Sequence, residues 1–300
     1  MTKLSRRFLL GGGALLTLAA AREYYLLSSL KGPEPLTVLN GLDAVFPGQS
    51  SVKKIVDGAA YGSDPRQRLD VYAPEGDVTN APMLVFFYGG GWTKGDRGDH
   101  AFVGRALASR GFVVVVPDYR LTPQIAYPEF VRDGAAAVDW AVRHAGEIGG
   151  DAGRLAVAGH SAGAYIAAML ALNRVFGAAS HIRALVGLSG GRYRLLPHVR
   201  AKERATFANI PADQSVQPID YVRPDAPPTL LLTGSVDDVA APQITYDFAA
   251  ALRRAGASVT VKTYPGVEHK DMLAAFAAPY RWNIPVLDDV SEFLHNVLKY

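Results

Sequence analysis

One serine stands between small residues in Gly159-His160-Ser161-Ala162-Gly163, after the apolar run RLAVA and before the alanine-rich stretch AYIAAMLAL. This is the G-x-S-x-G spacing of a nucleophile elbow: a strand, a sharp turn and a helix, with the hydroxyl held out at a sheet edge in strained backbone geometry. Bulkier side chains flanking such a turn would clash, hence the glycines. The helix opening at Ala162 directs its free amides at the place where negative charge develops. A second cluster, Tyr88-Gly89-Gly90-Gly91-Trp92, follows the apolar run MLVFF. Bare backbone of this kind can approach a reacting carbonyl, and the expected oxyanion donors are the N–H groups of Gly90, Gly91 and Ala162. A phosphate loop would need a following Lys-Ser/Thr, which is missing.

A hydroxyl at neutral pH is a poor nucleophile, so it needs a base, and the base needs a third group to fix its tautomer. The motif's chain order is nucleophile, acid, histidine. The acid then falls in Gly234-Ser235-Val236-Asp237-Asp238, after the strand-like run TLLLT. Asp237 is favoured, and Asp238 is the alternative. The base falls in the turn-rich Tyr264-Pro265-Gly266-Val267-Glu268-His269, and is His269. Loops at the C-terminal ends of parallel strands share one edge of the sheet, so these groups can converge. Trp92 and His160 are expected at the substrate pocket, with the His160 ring facing away along the elbow. His100, His144, His181, His198 and His295 lie outside the required order. No histidine pair has HxH or HxxxH spacing, so no metal site is expected. The chain has no cysteine, which excludes disulfides, thiolate catalysis and cysteine-ligated metal.

The scaffold that must hold these residues is legible as alternating elements. Residues 52–59 and 69–73, separated by YGSDPRQ, read as an antiparallel pair at a sheet edge. Short apolar runs at 83–87, 112–116, 154–158, 184–188, 229–233 and 258–263 read as further strands, most of them covered on both faces. Helices are expected over 100–110, from Pro128 through Val142, and over 162–172, 242–255 and 286–298. Such alternation predicts an α/β fold in one domain: a mostly parallel sheet with helices on both faces. Residues 190–224 break the rhythm and read as a lid-like excursion. Its arginines (Arg192, Arg194, Arg200, Arg204 and Arg223) suit a solvated basic surface or a polar, anionic alcohol portion of a substrate.

Composition bounds the partners. The 300-residue chain carries a net charge of +3, and residues 1–21 hold Lys3, Arg6 and Arg7 with no acid, so the remainder is neutral. No concentrated basic patch exists to neutralise phosphates, and nucleic acid is excluded as a partner. The run MTKLSRRFLLGGGALLTLAAA has a basic start, an apolar stretch and an A-x-A end at Ala21. It reads as an export signal of twin-arginine type, implying an exported, periplasmic protein. The alternatives are a membrane anchor formed by residues 8–21, the only expected membrane contact, and a cytoplasmic N-terminal helix. The body of the chain, 22–300, is then the domain, with its core at about 50–298.

With these pieces placed, the chain resembles the α/β-hydrolase superfamily, in the esterase and lipase branch with a GGG-type oxyanion loop. YGGGW, VVVVPDYRL, GGDAGRLAVAGHSAGAYIA and PPTLLLTGSVDD are similar to bacterial carboxylesterases related to arylformamidases and prenylcysteine methylesterases. The resemblance spans residues 50–298 and implies an eight-stranded sheet, no cofactor and an acyl-serine intermediate. Tyr88 departs from the family by replacing the histidine that opens the oxyanion loop, a residue read as a structural brace. Asp118, Tyr119 and Asp133 fit the family pattern as hydrogen-bonding scaffold. The expected activity is hydrolysis of small or medium carboxylic esters. An amidase or arylformamidase on the same triad is the alternative, and a non-catalytic binding protein would require a missing triad member.

Overall fold

The valine run 113–116 and the apolar MLVFF stretch pair as neighbouring parallel strands because neither has a polar face to offer water. In a computed structural model that describes residues 35–45, 51–194, 205–208, 210, 215–278 and 280–299, they sit near the middle of an eight-stranded sheet. The strands are β1 (Val52–Ala60), β2 (Arg68–Pro74), β3 (Ala81–Phe87), β4 (Val113–Pro117), β5 (Gly150–His160), β6 (Ile182–Leu188), β7 (Thr229–Gly234) and β8 (Val259–Tyr264). Their order is β1-β2-β4-β3-β5-β6-β7-β8. β1 and β2 are antiparallel, β2 is antiparallel to β4, and every pairing from β4 through β8 is parallel.

The helices are α1 (Pro35–Val45), α2 (Ala101–Ala108), α3 (Glu129–Arg143), α4 (Ala162–Leu172), α5 (Pro242–Arg254), α6 (His269–Ala274) and α7 (Val286–Val297). α2 and α7 touch each other on one face of the sheet, while α3 and α4 pack together on the other. Every residue of α4 is buried, which explains why the helix after the serine is nearly all alanine and aliphatic. Each large side chain so buried contributes about 1.5–3 kcal/mol relative to exposure. The core is one continuous apolar cluster running through both layers, which makes this a single α/β domain.

Two elements depart from the sequence reading. β5 begins at Gly150, four residues before the apolar run, because Gly150 and Asp151 pair with Ala81 and Pro82 ahead of a bulge. α1 was not expected from sequence; it docks through Leu39, which is buried in the core, and through polar groups that follow no period. Asp43 is buried and accepts from Arg105 Nε at 2.9 Å, from the Ala278 N–H at 2.8 Å and from Arg281 Nη2 at 3.3 Å. The expected export signal or anchor, residues 1–21, lies outside the described residues, as do Arg200 and Arg204 of the excursion. Among the described residues, no helix is long and apolar enough to cross a membrane.

Candidate active site

β5 ends at His160, and the chain turns so sharply that Ser161 takes φ 54° and ψ −117° before α4 begins at Ala162. This backbone region is costly for a side-chain-bearing residue, roughly 1–3 kcal/mol, and persists only when its surroundings enforce it. Here they do. The Ser161 N–H is held by the Leu188 carbonyl at 2.9 Å. The flanking glycines are required by close approach, because a Cβ on Gly163 would lie 2.0 Å from the Phe87 carbonyl oxygen, and one on Gly159 2.3 Å from the Gly163 backbone.

The glycine loop after β3 lies directly against this turn. A Cβ on Gly89 would come within 3.1 Å of the Ser161 Cβ. Gly90, Gly91 and Trp92 all have positive φ (115°, 61° and 58°), which rotates the backbone away from the extended direction of β3. Among the described residues, the N–H groups of Gly90, Gly91 and Ala162 donate to no protein acceptor. Three unused donors beside a serine at a helix N-terminus are what a developing oxyanion needs.

A dense polar brace supports the loop from below. The Tyr88 hydroxyl donates to Asp118 Oδ1 at 2.8 Å and accepts from Arg66 Nη2 at 3.0 Å, while the Tyr119 hydroxyl donates to the Tyr88 carbonyl at 2.9 Å. The Tyr88 ring is sandwiched between His100 and Tyr119, each with its ring centre 4.8 Å away. Burial pushes the Tyr88 phenol well above its usual range, so it stays protonated. Arg97 bridges Asp70 at 2.9 Å and Asp118 at 2.6 Å. Asp133 receives Arg120 and Gln67. Arg66 and Arg97 were not singled out from sequence: an arginine in a turn carries no spacing signal that tells a brace from a solvated charge.

Asp237 and His269, the expected acid and base, lie side by side. His269 Nδ1 lies 2.9 Å from Asp237 Oδ2 and 3.1 Å from Oδ1. Asp237 is 3% exposed and faces His269, whereas Asp238 faces solvent. Burial opposes charge on Asp237, but the His269 ring and the Ala240 N–H outweigh it and hold the carboxyl below its ordinary range. Oδ1 also accepts from Val239 N at 3.0 Å and Ala240 N at 2.7 Å, so the carboxylate closes the turn that carries it. The Ser189 hydroxyl is buried beside this carboxylate without a hydrogen-bond partner of ordinary geometry, and it favours the charged form. His269 is the first residue of α6 and not a loop residue; the Glu268 N–H donates to Asp271 Oδ2 at 3.0 Å, a cap that the spacing Glu268-x-x-Asp271 could have revealed. The His269 side chain is 16% exposed, and no hydrogen bond joins it to Ser161 among the described residues. Catalytic hydrogen bonds in ligand-free sites are often loose and tighten with substrate.

His160 does not face away along the elbow. Its ring is 6% exposed and packs on His269, with ring centres 4.7 Å apart and Nε2 3.2 Å from the His269 carbonyl oxygen. Burial, followed by the neighbouring His269, lowers its pKa to about 3. Burial also lowers the His100 pKa. A group with a depressed folded pKa and an unfolded value near 6.5 binds its proton first in the unfolded chain, so stability falls as pH drops below about 6.5. His160 alone is expected to cost about 2 kcal/mol between pH 7 and pH 5. Denaturant melts at the two pH values should show this loss, and His160→Gln should reduce it; an equal loss in that variant would contradict the assignment.

Trp92, expected at the substrate pocket, is 1% exposed and packed among Phe130, Tyr165 and Phe207 at ring separations of 5.3–5.5 Å. Phe207 belongs to the excursion, whose described part is tied down by Tyr127 N to the Thr206 carbonyl (2.8 Å) and Tyr165 Oη to the Val216 carbonyl (2.6 Å). Arg223 does not face the site. It turns inward to the Ala171 and Leu172 carbonyls at the far end of α4. A groove of about 580 Å³ there, lined by Arg174, Arg183, Arg223 and Asp225, opens at the N-terminal ends of β6 and β7, away from Ser161. Among the described residues, no group of three or more His, Asp or Glu side chains is placed to hold a metal ion.

Comparison with known proteins places the chain among known families and folds. Residues 129–299 match the prolyl oligopeptidase family, and residues 69–184 match the family described as BD-FAE. The chain is 31% identical over 239 residues to a probable isoprenylcysteine alpha-carbonyl methylesterase of Arabidopsis thaliana, covering 71% of this chain and 50% of that protein. It is 33% identical over 239 residues to the esterase LipC of Mycobacterium tuberculosis, covering 70% and 58%. The chain therefore spans between half and three-fifths of the length of these relatives. A carbohydrate esterase from gut microbiota superposes with a TM-score of 0.71 at 19% identity, covering 84% of this chain and 97% of that one, a likeness of fold.

Proposed function

Because the chain belongs to the α/β-hydrolase superfamily, with the carboxylesterases and the prolyl oligopeptidase family, we propose that it hydrolyses small or medium carboxylic esters through an acyl-enzyme on Ser161. The observation that carries the reading is the His269–Asp237 pair at 2.9 Å on the sheet edge where Ser161 is held at positive φ. The esterase names of its relatives support the choice of bond.

In the proposed reaction, Ser161 Oγ attacks the ester carbonyl carbon as His269 Nε2 takes the hydroxyl proton. The carbonyl oxygen becomes an oxyanion held by the N–H groups of Gly90, Gly91 and Ala162. The C–O bond to the alcohol then breaks, and His269 returns the proton to the leaving alcohol. Water attacks the acyl-serine with His269 again as base, releasing the acid and restoring Ser161. Asp237 remains ionised throughout, stabilising the imidazolium and fixing the proton of the neutral ring on Nδ1. No cofactor takes part.

Matched p-nitrophenyl acetate and p-nitroacetanilide test the reading. Hydrolysis of the ester is expected, with a kcat/KM at least about 100-fold above that for the anilide, since an amine leaves less readily and needs fuller protonation in the transition state. Absence of ester turnover by folded protein would reject the proposal.

A further inference from the structure

The hydroxyl and the base come from segments more than a hundred residues apart, and something must fix one relative to the other. Among the described residues, one hydrogen bond joins the elbow (159–163) to the segment 268–274: His160 Nε2 to the His269 carbonyl, at 3.2 Å. A carbonyl oxygen only accepts, so the His160 proton resides on Nε2 and Nδ1 carries a lone pair. Nδ1 faces the oxyanion loop, where a Cβ on Gly89 would lie 3.1 Å away. The side chain thus lies between the base and the oxyanion loop while its backbone leads into the nucleophile.

The titratable groups facing His160 are His269 at the start of α6, Asp237 after β7, and His100 before α2. Two imidazole rings 4.7 Å apart would repel if both were charged. Burial keeps His160 neutral. It can therefore hold the main chain of His269 without placing a second cation beside the imidazolium that forms when the base takes the serine proton. A lysine or arginine donor at position 160 would oppose that step, and an aliphatic residue would remove the tie between the elbow and this carbonyl, leaving it only its place at the start of α6.

We propose that His160 is a positioning residue for the base, its Nε2–H setting the placement of the His269 main chain, and so of the imidazole, relative to Ser161. This inference rests on Ser161 and His269 being nucleophile and base. His160→Phe keeps an aromatic ring against His269 but has no donor; His160→Gln keeps a neutral N–H donor. Both are to be assayed on p-nitrophenyl acetate beside wild type and Ser161→Ala, with folding checked by circular dichroism melts.

The phenylalanine variant is expected to lose about 10–100-fold in kcat, because sub-ångström to 1 Å displacement of a catalytic group costs up to about 10². KM should change little, since the carbonyl of His269 does not bind substrate. The glutamine variant is expected to recover kcat to within about fivefold of wild type, as a restored donor of similar reach holds the same carbonyl. A phenylalanine variant with wild-type kcat, or two folded variants equally depressed, would overturn the inference alone. Should the phenylalanine variant fail to fold, a folded glutamine variant down more than about tenfold would overturn it, because its donor is intact. Wild type no more active than Ser161→Ala would overturn the proposed function and this inference together.

Discussion

Replacing Ser161 with alanine is expected to lower kcat/KM on a p-nitrophenyl ester by about 10⁶-fold, the scale seen when a triad nucleophile is removed. The fold should not notice. The Ser161 hydroxyl makes no hydrogen bond among the described residues, and what holds the turn is main chain: Ser161 N to the Leu188 carbonyl at 2.9 Å, with Gly159 and Gly163 closing the approach. Alanine occupies positive φ at much the same cost as serine, so melting should shift by less than the equivalent of about 0.5 kcal/mol. A small residual rate over water should survive, because the unused N–H groups of Gly90, Gly91 and Ala162 remain. Steady-state kinetics with a melting curve on the same preparation checks both halves.

Asp237→Asn is the second large effect, expected at about 10⁴-fold in kcat. The geometry says why so small a change should cost so much. Asp237 Oδ1 closes its own turn, accepting from Ala240 N at 2.7 Å and Val239 N at 3.0 Å, while Oδ2 faces His269 Nδ1 at 2.9 Å. An asparagine keeps its carbonyl oxygen on the two turn amides and must therefore present its NH₂ to the ring. Nδ1 then has to be the bare nitrogen, the proton moves to Nε2, and the ring can no longer accept the serine proton. Asp238→Asn, at an exposed position, should change kcat by less than about twofold. Comparable losses in the two variants would contradict the choice of Asp237.

The difference between Asp237 and Asp238 shows where sequence reading stops. Both follow β7, and only burial and the partner at position 269 separate them. The layered sheet was legible because buried parallel strands are uniformly apolar, as in 113–116, and because the elbow glycines sit at positions where a Cβ would strike backbone. α1 was less legible because, besides the buried Leu39, it is anchored by a buried Asp43 with two arginines, and such charge clusters have no period. The start of β5 was hidden by Gly150 and Asp151, whose pairing with β3 depends on a bulge. The direction of the His160 ring could not be read from the chain order, since neighbours along a turn need not diverge in space. Its contact with His269 is made to the first residue of α6, a helix start the sequence reading placed in a loop.

The central claim is that Ser161 becomes covalently acylated, and a fluorophosphonate probe followed by mass spectrometry tests it most directly. The expected result is one phosphonyl group per chain, localised to Ser161 by fragmentation of its peptide, with ester hydrolysis lost in proportion to labelling. An unlabelled chain that still hydrolyses ester, or an adduct on another residue that tracks the loss of activity, would contradict the account.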